Sequence, residues 1–288
     1  MKRNQTRSGA QRKGSPAARI GLFVSFAIVA ALALVPFWAM LVGTFQDGDM
    51  LIRYGLNLGI DPNSAHLNNY VMLFTDSGPY FRWFANSLLL TAVQVVGTLL
   101  ISSFVAYGFA MYNFRFKSFM FILVLVLMTI PFEMLMLPLY VQVNAMGMAD
   151  NYAAILLPFL AQASTIFFFR QFMVGLPHEI LEAGRVDGVT EFGIFFRLIM
   201  PLLKPAMAAM AILNGMASWN NFLWPLLVLR SPEKYTLPIG LNTLMTPYGN
   251  NYSLLIVGAF FSLIPILLLF LAFQRFFIEG MTAGAVKG

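Results

Sequence analysis

The sequence predicts an all-α integral membrane protein of six transmembrane helices with both termini cytoplasmic. Three observations predict it. The 288 residues are 59% hydrophobic and only 10% charged, against about 25% charged and 45–50% apolar in soluble domains. The charges are spaced so that six stretches are long and apolar enough to cross a hydrocarbon core, which takes roughly 20 residues. Lys and Arg also fall mostly on one side of those stretches. Such a chain cannot cover a water-facing surface, so soluble enzymes and DNA-binding domains are excluded.

The spans follow in order. Residues 1–19 form a basic tail (Lys2, Arg3, Arg7, Arg12, Lys13, Arg19), and residues 20–279 hold the membrane domain. Ile20–Phe45 is uncharged and too long for a signal-peptide core, which makes it an uncleaved anchor. Trp83–Phe114 is the second span. Ser118–Ala149 is the third and carries one charge, Glu133, between Pro131 and Pro138. Asn151–Phe169, Pro205–Leu229 and Leu254–Phe273 complete the set, and residues 280–288 are a short C-terminal tail. Tyr235–Tyr252 is uncharged too, but Pro238, Pro247, Gly249 and its asparagines make it a loop.

Orientation comes from the cations. Fourteen of the 18 Lys and Arg lie in the N-terminal tail, around Arg115–Lys117, in the 170–204 region and at the C-terminal end, against Arg53, Arg82, Arg230 and Lys234 opposite. That places the termini and the 170–204 loop in the cytoplasm. The net charge of +6 is accounted for by anionic lipid and topology, with no dense basic face for nucleic acid.

The chemistry is mostly marked by what is missing. Lys117-Ser118 is the only Lys-Ser or Lys-Thr pair, and Phe116 and Met111 stand where a phosphate-binding loop requires glycine. The sequence thus has no ATP-binding motif and reads as a non-enzyme. His66 and His178 lack metal-ligand spacing, cysteine is absent, and no metal or cofactor is expected. Glu133 is the one ionisable residue well inside a span, where a charge is costly and marks function by default. Two readings stay open: an acid at a proline break lining a polar path, or a hydrogen-bonded fastener between helices.

The strongest local pattern lies at 175–205. Pro177 suits a first helical turn, and Glu179 and Glu182 suit its positive end. Asp187-Gly188 ends that helix, and Thr190 caps a second. Two short helices at an angle make a cytoplasmic knob fit to dock a partner.

Within it, Glu182-Ala183-Gly184, Gly188 and Pro201 thirteen residues on resemble the EAA loop of permease subunits of bacterial ABC importers. Gly184 stands for the second alanine of that pattern, Leu198 for its isoleucine and Met200 for its leucine. Asn86-Ser87-Leu88, Trp219-Asn220-Asn221-Phe222-Leu223-Trp224-Pro225 and the Gly280–Gly288 tail resemble carbohydrate permeases related to the smaller maltose permease subunit. Phe132-Glu133-Met134 and Tyr248–Tyr252 look closest to the branch associated with arabinose-type oligosaccharides.

The resemblance implies a type I ABC-importer permease fold in the bacterial inner membrane. It implies a second homologous permease, two ATPase subunits docked on the loop 176–205, and an external sugar-binding protein. Glu182, Ala183, Gly184, Asp187, Gly188 and Pro201 would couple to the ATPase. Glu133, Asn220 and Asn221 would line the sugar path, and Asn250, Asn251 and Tyr252 would meet the binding protein. The competing classes are an ion-coupled secondary transporter, which needs a midplane ion site and usually a repeat, and a membrane enzyme, which needs a catalytic constellation.

Overall fold

The computed structural model describes residues 16–55, 58–75, 78–246 and 249–285. Helix α1 (Pro16–Gly43) is 28 residues long, about 42 Å at 1.5 Å per residue, ample for a tilted crossing. The apolar part of its length is bare, as suits a helix whose neighbour is lipid or another subunit. It touches the rest of the chain near Ala39 and Val42. Short helices α2 (Gly48–Tyr54) and α3 (Asn68–Thr75) follow on the side assigned to the exterior. There, Asn69 Nδ2 donates to the carbonyls of Thr44 and Gln46 and closes the loop back on the end of α1.

Helix α4 (Tyr80–Met111) is the axis of the bundle and packs along two later helices, Ala163–Val174 and Lys204–Trp219. Its buried face carries Ser87, Gln94, Thr98, Ser102 and Ser103. In lipid the hydrophobic effect does not drive helices together, so small and hydroxyl side chains that permit close packing and hydrogen bonds do the work.

The third span is two helices, α5 (Lys117–Thr129) and α6 (Phe132–Ala145), meeting at 105°. Pro131 cannot continue the α5 ladder and holds Ile130 extended, so the expected kink is a full break. The fourth span is also interrupted: α7 (Tyr152–Leu156) passes through a 3₁₀ turn at Leu157–Phe159 before α8 (Ala163–Val174).

The knob consists of α9 (Glu179–Val186), α10 (Glu191–Gly193), a π-helical segment at Ile194–Ile199 and α11 (Met200–Leu202). It turns by 78° into α12 (Lys204–Trp219). Pro177 lies just before the N-cap of α9 rather than in its first turn.

The fifth span departs from the expected run of Pro205–Leu229, because α12 ends at Trp219 and α13 (Leu223–Val228) begins after an unwound Asn220–Phe222. The 235–252 segment also departs from a plain loop. Pro238 falls in the first turn of α14 (Leu237–Thr243), where its missing N–H costs nothing. Two short strands, β1 (Met245–Thr246) and β2 (Gly249–Asn250), pair antiparallel. Helix α15 (Tyr252–Ala285) then packs on α12 and runs into the segment expected to be a free tail. Among the described residues four helical stretches, α7 and α8 counted as one, are long and apolar enough to cross a membrane, and up to six when each bent pair counts as one span.

Candidate functional site

The knob is built on two glycines. Helix α9 turns Leu181 and Gly184 inward, and Leu181 joins a core with Phe169 and Met173 of α8, Tyr107 and Phe109 of α4, and Ile194, Phe195 and Ile199 of the π segment. A Cβ at Gly184 would lie 2.9 Å from Ile194 Cγ1 and 3.0 Å from Leu198 Cδ1. The glycine in place of the pattern's alanine therefore lets α9 sit directly on the π segment.

Gly188 has φ +74°, as the Asp187-Gly188 break anticipated. Val189 N–H donates to Gly184 O and Gly188 N–H to Arg185 O, the paired bonds of a Schellman cap. Thr190 Oγ1 then accepts from Gly193 N–H, the expected N-cap. Glu182, Ala183, Asp187 and Gly188 face outward, while Pro201 sits exposed on α11.

The knob is latched to α4. Arg185 Nε is 2.7 Å from Glu191 Oε1, and Tyr112 hydroxyl donates to the other Glu191 oxygen. Arg185 and then Tyr112 hold the Glu191 carboxyl below its ordinary range. Both charged side chains are about half exposed, so this pair fixes geometry more than it adds stability.

At the other end of the same path, three helix breaks converge on one cavity of about 390 Å³. The α5–α6 break supplies Phe132 and Glu133, the α7–α8 break supplies Phe159 and Gln162, and the α12–α13 break supplies Asn220, Asn221 and Phe222. The structure thus brings together the three residues assigned to a sugar path. Ser87 and Gln94 of α4 and Asn214 and Ser218 of α12 add polar groups, and Thr236 does so from the segment before α14. Non-helical backbone at membrane depth is tolerated where it lines a cavity.

The Asn86-Ser87 pair acts as a fastener. Asn86 Nδ2 donates to Glu233 O and Tyr235 O, and Ser87 Oγ accepts from Leu237 N–H, which places Thr236 at the cavity. The fully buried Trp224 donates from Nε1 to Ala154 O at 3.0 Å and meets the rings of Phe132 and Phe159.

Sequence reasoning missed Asp150. Held at φ +56°, it accepts at one oxygen from Arg230 N–H and Ser231 N–H, and at the other from Ser231 Oγ and Lys234 Nζ. Asp tolerates that left-handed region better than most residues. The 144–152 turn and the 230–235 loop are thereby tied together. The signal available was only a lone acid opposite two isolated cations.

These bonds, led by the one from Ser231, hold the Asp150 carboxyl well below its ordinary value. A depressed carboxyl contributes stability that is complete above its unfolded value of about 3.9 and is lost as pH falls through the folded one. The melting temperature of the purified complex should therefore be lower in Asp150→Asn than in the parent at pH 7. The gap should narrow below about pH 4. Equal melting temperatures at pH 7 would show that the tie contributes nothing.

Of the residues expected to meet a binding protein, Asn251 Oδ1 accepts from Leu254 N–H and so caps α15, and its Nδ2 approaches Met72 Sδ at 3.5 Å. Tyr252 opens α15. Asn250 belongs to β2 through its backbone, and Pro247 and Tyr248 lie outside the described residues.

A family model described as "Binding-protein-dependent transport system inner membrane component" matches residues 97–282. The arabinooligosaccharides transport system permease protein AraQ of Halalkalibacterium halodurans is 47% identical over 278 residues, 96% of this chain and 100% of that protein. Its namesake in Bacillus subtilis is 48% identical, covering 94% and 96%. The lactose transport system permease protein LacG of Rhizobium radiobacter is 34% identical, covering 90% and 93%. Among solved structures, a chain of a bacterial ABC transporter involved in import of the acidic polysaccharide alginate superposes with a TM-score of 0.78. It is 21% identical and covers 95% of this chain and 100% of that one, which speaks to the fold alone.

Proposed function

Because the chain belongs to the binding-protein-dependent transport system inner membrane components, we propose a working for it as one wall and one lever of a sugar importer. It is a membrane subunit of an ABC sugar importer in the inner membrane. It works with a binding protein and with ATPase subunits. Two ATPase subunits hydrolyse the ATP, and a second homologous permease supplies the other half of the pathway. The sugar is a neutral oligosaccharide of the arabinose type, a reading supported by the two relatives of nearly full length.

One observation carries the mechanism. The knob and the cavity lie on one continuous path, since the π segment under Gly184 leads through α11 into α12, and α12 ends in the cavity at Asn214, Ser218 and Asn220. In this reading the outward face of the knob, with Glu182, Ala183 and Asp187, seats in a groove of the ATPase. Closure of the ATPases tilts the knob, and α12 carries the tilt to the cavity wall. Pro201 lies in the turn of that path, and Gly188 keeps α9 short enough to fit. Asn250, Asn251 and Tyr252 meet the binding protein at the outer face, the side opposite the cation-rich termini.

Reconstituted in vesicles with its partners, the complex should take up arabinotriose with ATP inside and ignore an ionophore. Uptake without ATP that collapses with the ion gradient would favour the secondary transporter. Glu133 has a role of its own to resolve, since its carboxylate can accept sugar hydroxyls or bond to the partner permease. If it meets sugar, Glu133→Gln should cut uptake severalfold with assembly intact. If it is a fastener, Gln should be tolerated and Glu133→Leu should lower the yield of complex. Parental behaviour of both variants would remove it from the site.

A further inference from the structure

The sugar path assigned above is a passage; the cavity itself has the features of a place where a ligand stops. Thr236 is only 5% exposed, and its hydroxyl has no hydrogen-bond partner among the described residues. Buried hydroxyls almost always have one, and this orphan belongs to a residue of the cavity lining, so a small turn of the side chain toward the cavity lets a ligand partner it. The other polar groups are held in place by bonds of their own. Gln94 Nε2 donates to Thr98 Oγ1 at 2.9 Å, and Asn214 Nδ2 donates to Met210 O at 2.9 Å. Thr98 Oγ1 in turn donates to Phe159 O, so the α7–α8 break is fixed by the same network. Side chains held this way present their remaining atoms at set positions, which is what pre-organised recognition requires.

Part of the lining is aromatic. The rings of Phe132 and Phe159 sit 5.2 Å apart at 61°, backed by Trp224. An apolar ring surface in one lining with a set of amides and hydroxyls matches a sugar, whose C–H face is apolar and whose edge is lined with hydroxyls. The volume of about 390 Å³ lies at the small end of the 300–1,000 Å³ span of ligand sites. Glu133 is the sole ionisable residue in the lining. A carboxylate there accepts hydroxyl hydrogens from a neutral sugar and repels a sugar acid.

We propose that this cavity is a sugar-binding subsite contained in this one subunit. It holds one or two neutral rings of the oligosaccharide in transit, with Thr236, Gln94 and Asn214 bonding hydroxyls and Glu133 excluding uronates. The inference rests on the importer reading and adds to it a resting point and a selectivity for charge.

The sequence contains no cysteine, so a single introduced thiol is unique in this subunit. Ala217→Cys and, separately, Leu223→Cys place it in the cavity lining. In the complete complex in vesicles, labelling of this subunit by N-ethylmaleimide is timed with arabinotriose, with trigalacturonate and with neither. Arabinotriose should slow labelling severalfold at one or both positions, trigalacturonate should not, and Thr236→Val should weaken the protection with the complex still assembled. Unchanged labelling at both positions in a complex that takes up arabinotriose would overturn the subsite while leaving the importer intact. Equal protection by trigalacturonate would overturn the charge selectivity, and full protection in Thr236→Val would remove that hydroxyl from the site. If the parent complex takes up neither arabinotriose nor lactose, the importer reading fails and the subsite falls with it.

Discussion

Sugar uptake by the Gly188→Val complex should fall about tenfold or more, the equivalent of about 1.4 kcal/mol of lost coupling, with the permease still inserted. Gly188 has φ +74° and no atom within 4 Å of where a Cβ would stand, so the penalty is backbone strain and nothing else. For a β-branched residue held in the left-handed region, that penalty is about 1–3 kcal/mol. The chain escapes it by shifting out of the left-handed turn, which breaks the bonds from Val189 to Gly184 and from Gly188 to Arg185. Helix α9 then loses its stop and the angle at which it meets an ATPase. Asn enters the left-handed region readily, so Gly188→Asn should keep most of the uptake. Ala183→Asp tests the same contact from outside, since Ala183 is exposed and a charge there is buried only when the ATPase docks. It should abolish ATPase co-purification while the permease itself melts as the parent does. Parental uptake in both Gly188→Val and Ala183→Asp would separate the knob from energy coupling.

Trp224→Ala should give the largest loss of intact complex. The indole is fully buried, and removing so large a core side chain costs about 3–5 kcal/mol in soluble proteins. Its Nε1 also satisfies Ala154 O at the start of the fourth span, and its ring backs Phe132 and Phe159. Three broken helices therefore lose a shared support together. Trp224→Phe fills most of the volume and forfeits only the bond, so it should cost about 1 kcal/mol. The measurement is the melting temperature and yield of the complex in a mild detergent. Equal values for Trp224→Ala and the parent would show that the α13 contact is expendable.

What the sequence made legible follows from local rules. Spacing between charges located the spans, because a bilayer permits few ways to cross it. The knob was readable because each of its parts is a local signal: acids at the start of α9, a left-handed Gly188, a capping Thr190. The cavity was only half readable. Pro131 announced one break, but the Asn220–Phe222 and Leu157–Gln162 interruptions depend on what packs beside them, and their convergence is a long-range fact. Asp150 was illegible for the same reason, since its partners at Arg230, Ser231 and Lys234 lie some eighty positions away. Helix α14 was hidden by Pro238, which breaks a helix interior but suits a first turn.

The π segment has a consequence in rotation rather than in contact. A π turn holds one residue more than an α turn, and one residue of an α-helix is worth about 100° of rotation and 1.5 Å of rise. Beneath Gly184, Ile194–Ile199 thus offsets the azimuth of the residues that follow it up to Leu202 by roughly a quarter turn from an uninterrupted helix. That offset sets the direction in which the 78° turn leaves the knob, and so where α12 runs, with Asn214 and Ser218 at the cavity and Leu213 and Met216 exposed. Deleting one residue from the segment would leave every residue type of α12 in place and redirect the turn into it, carrying its polar residues away from the cavity.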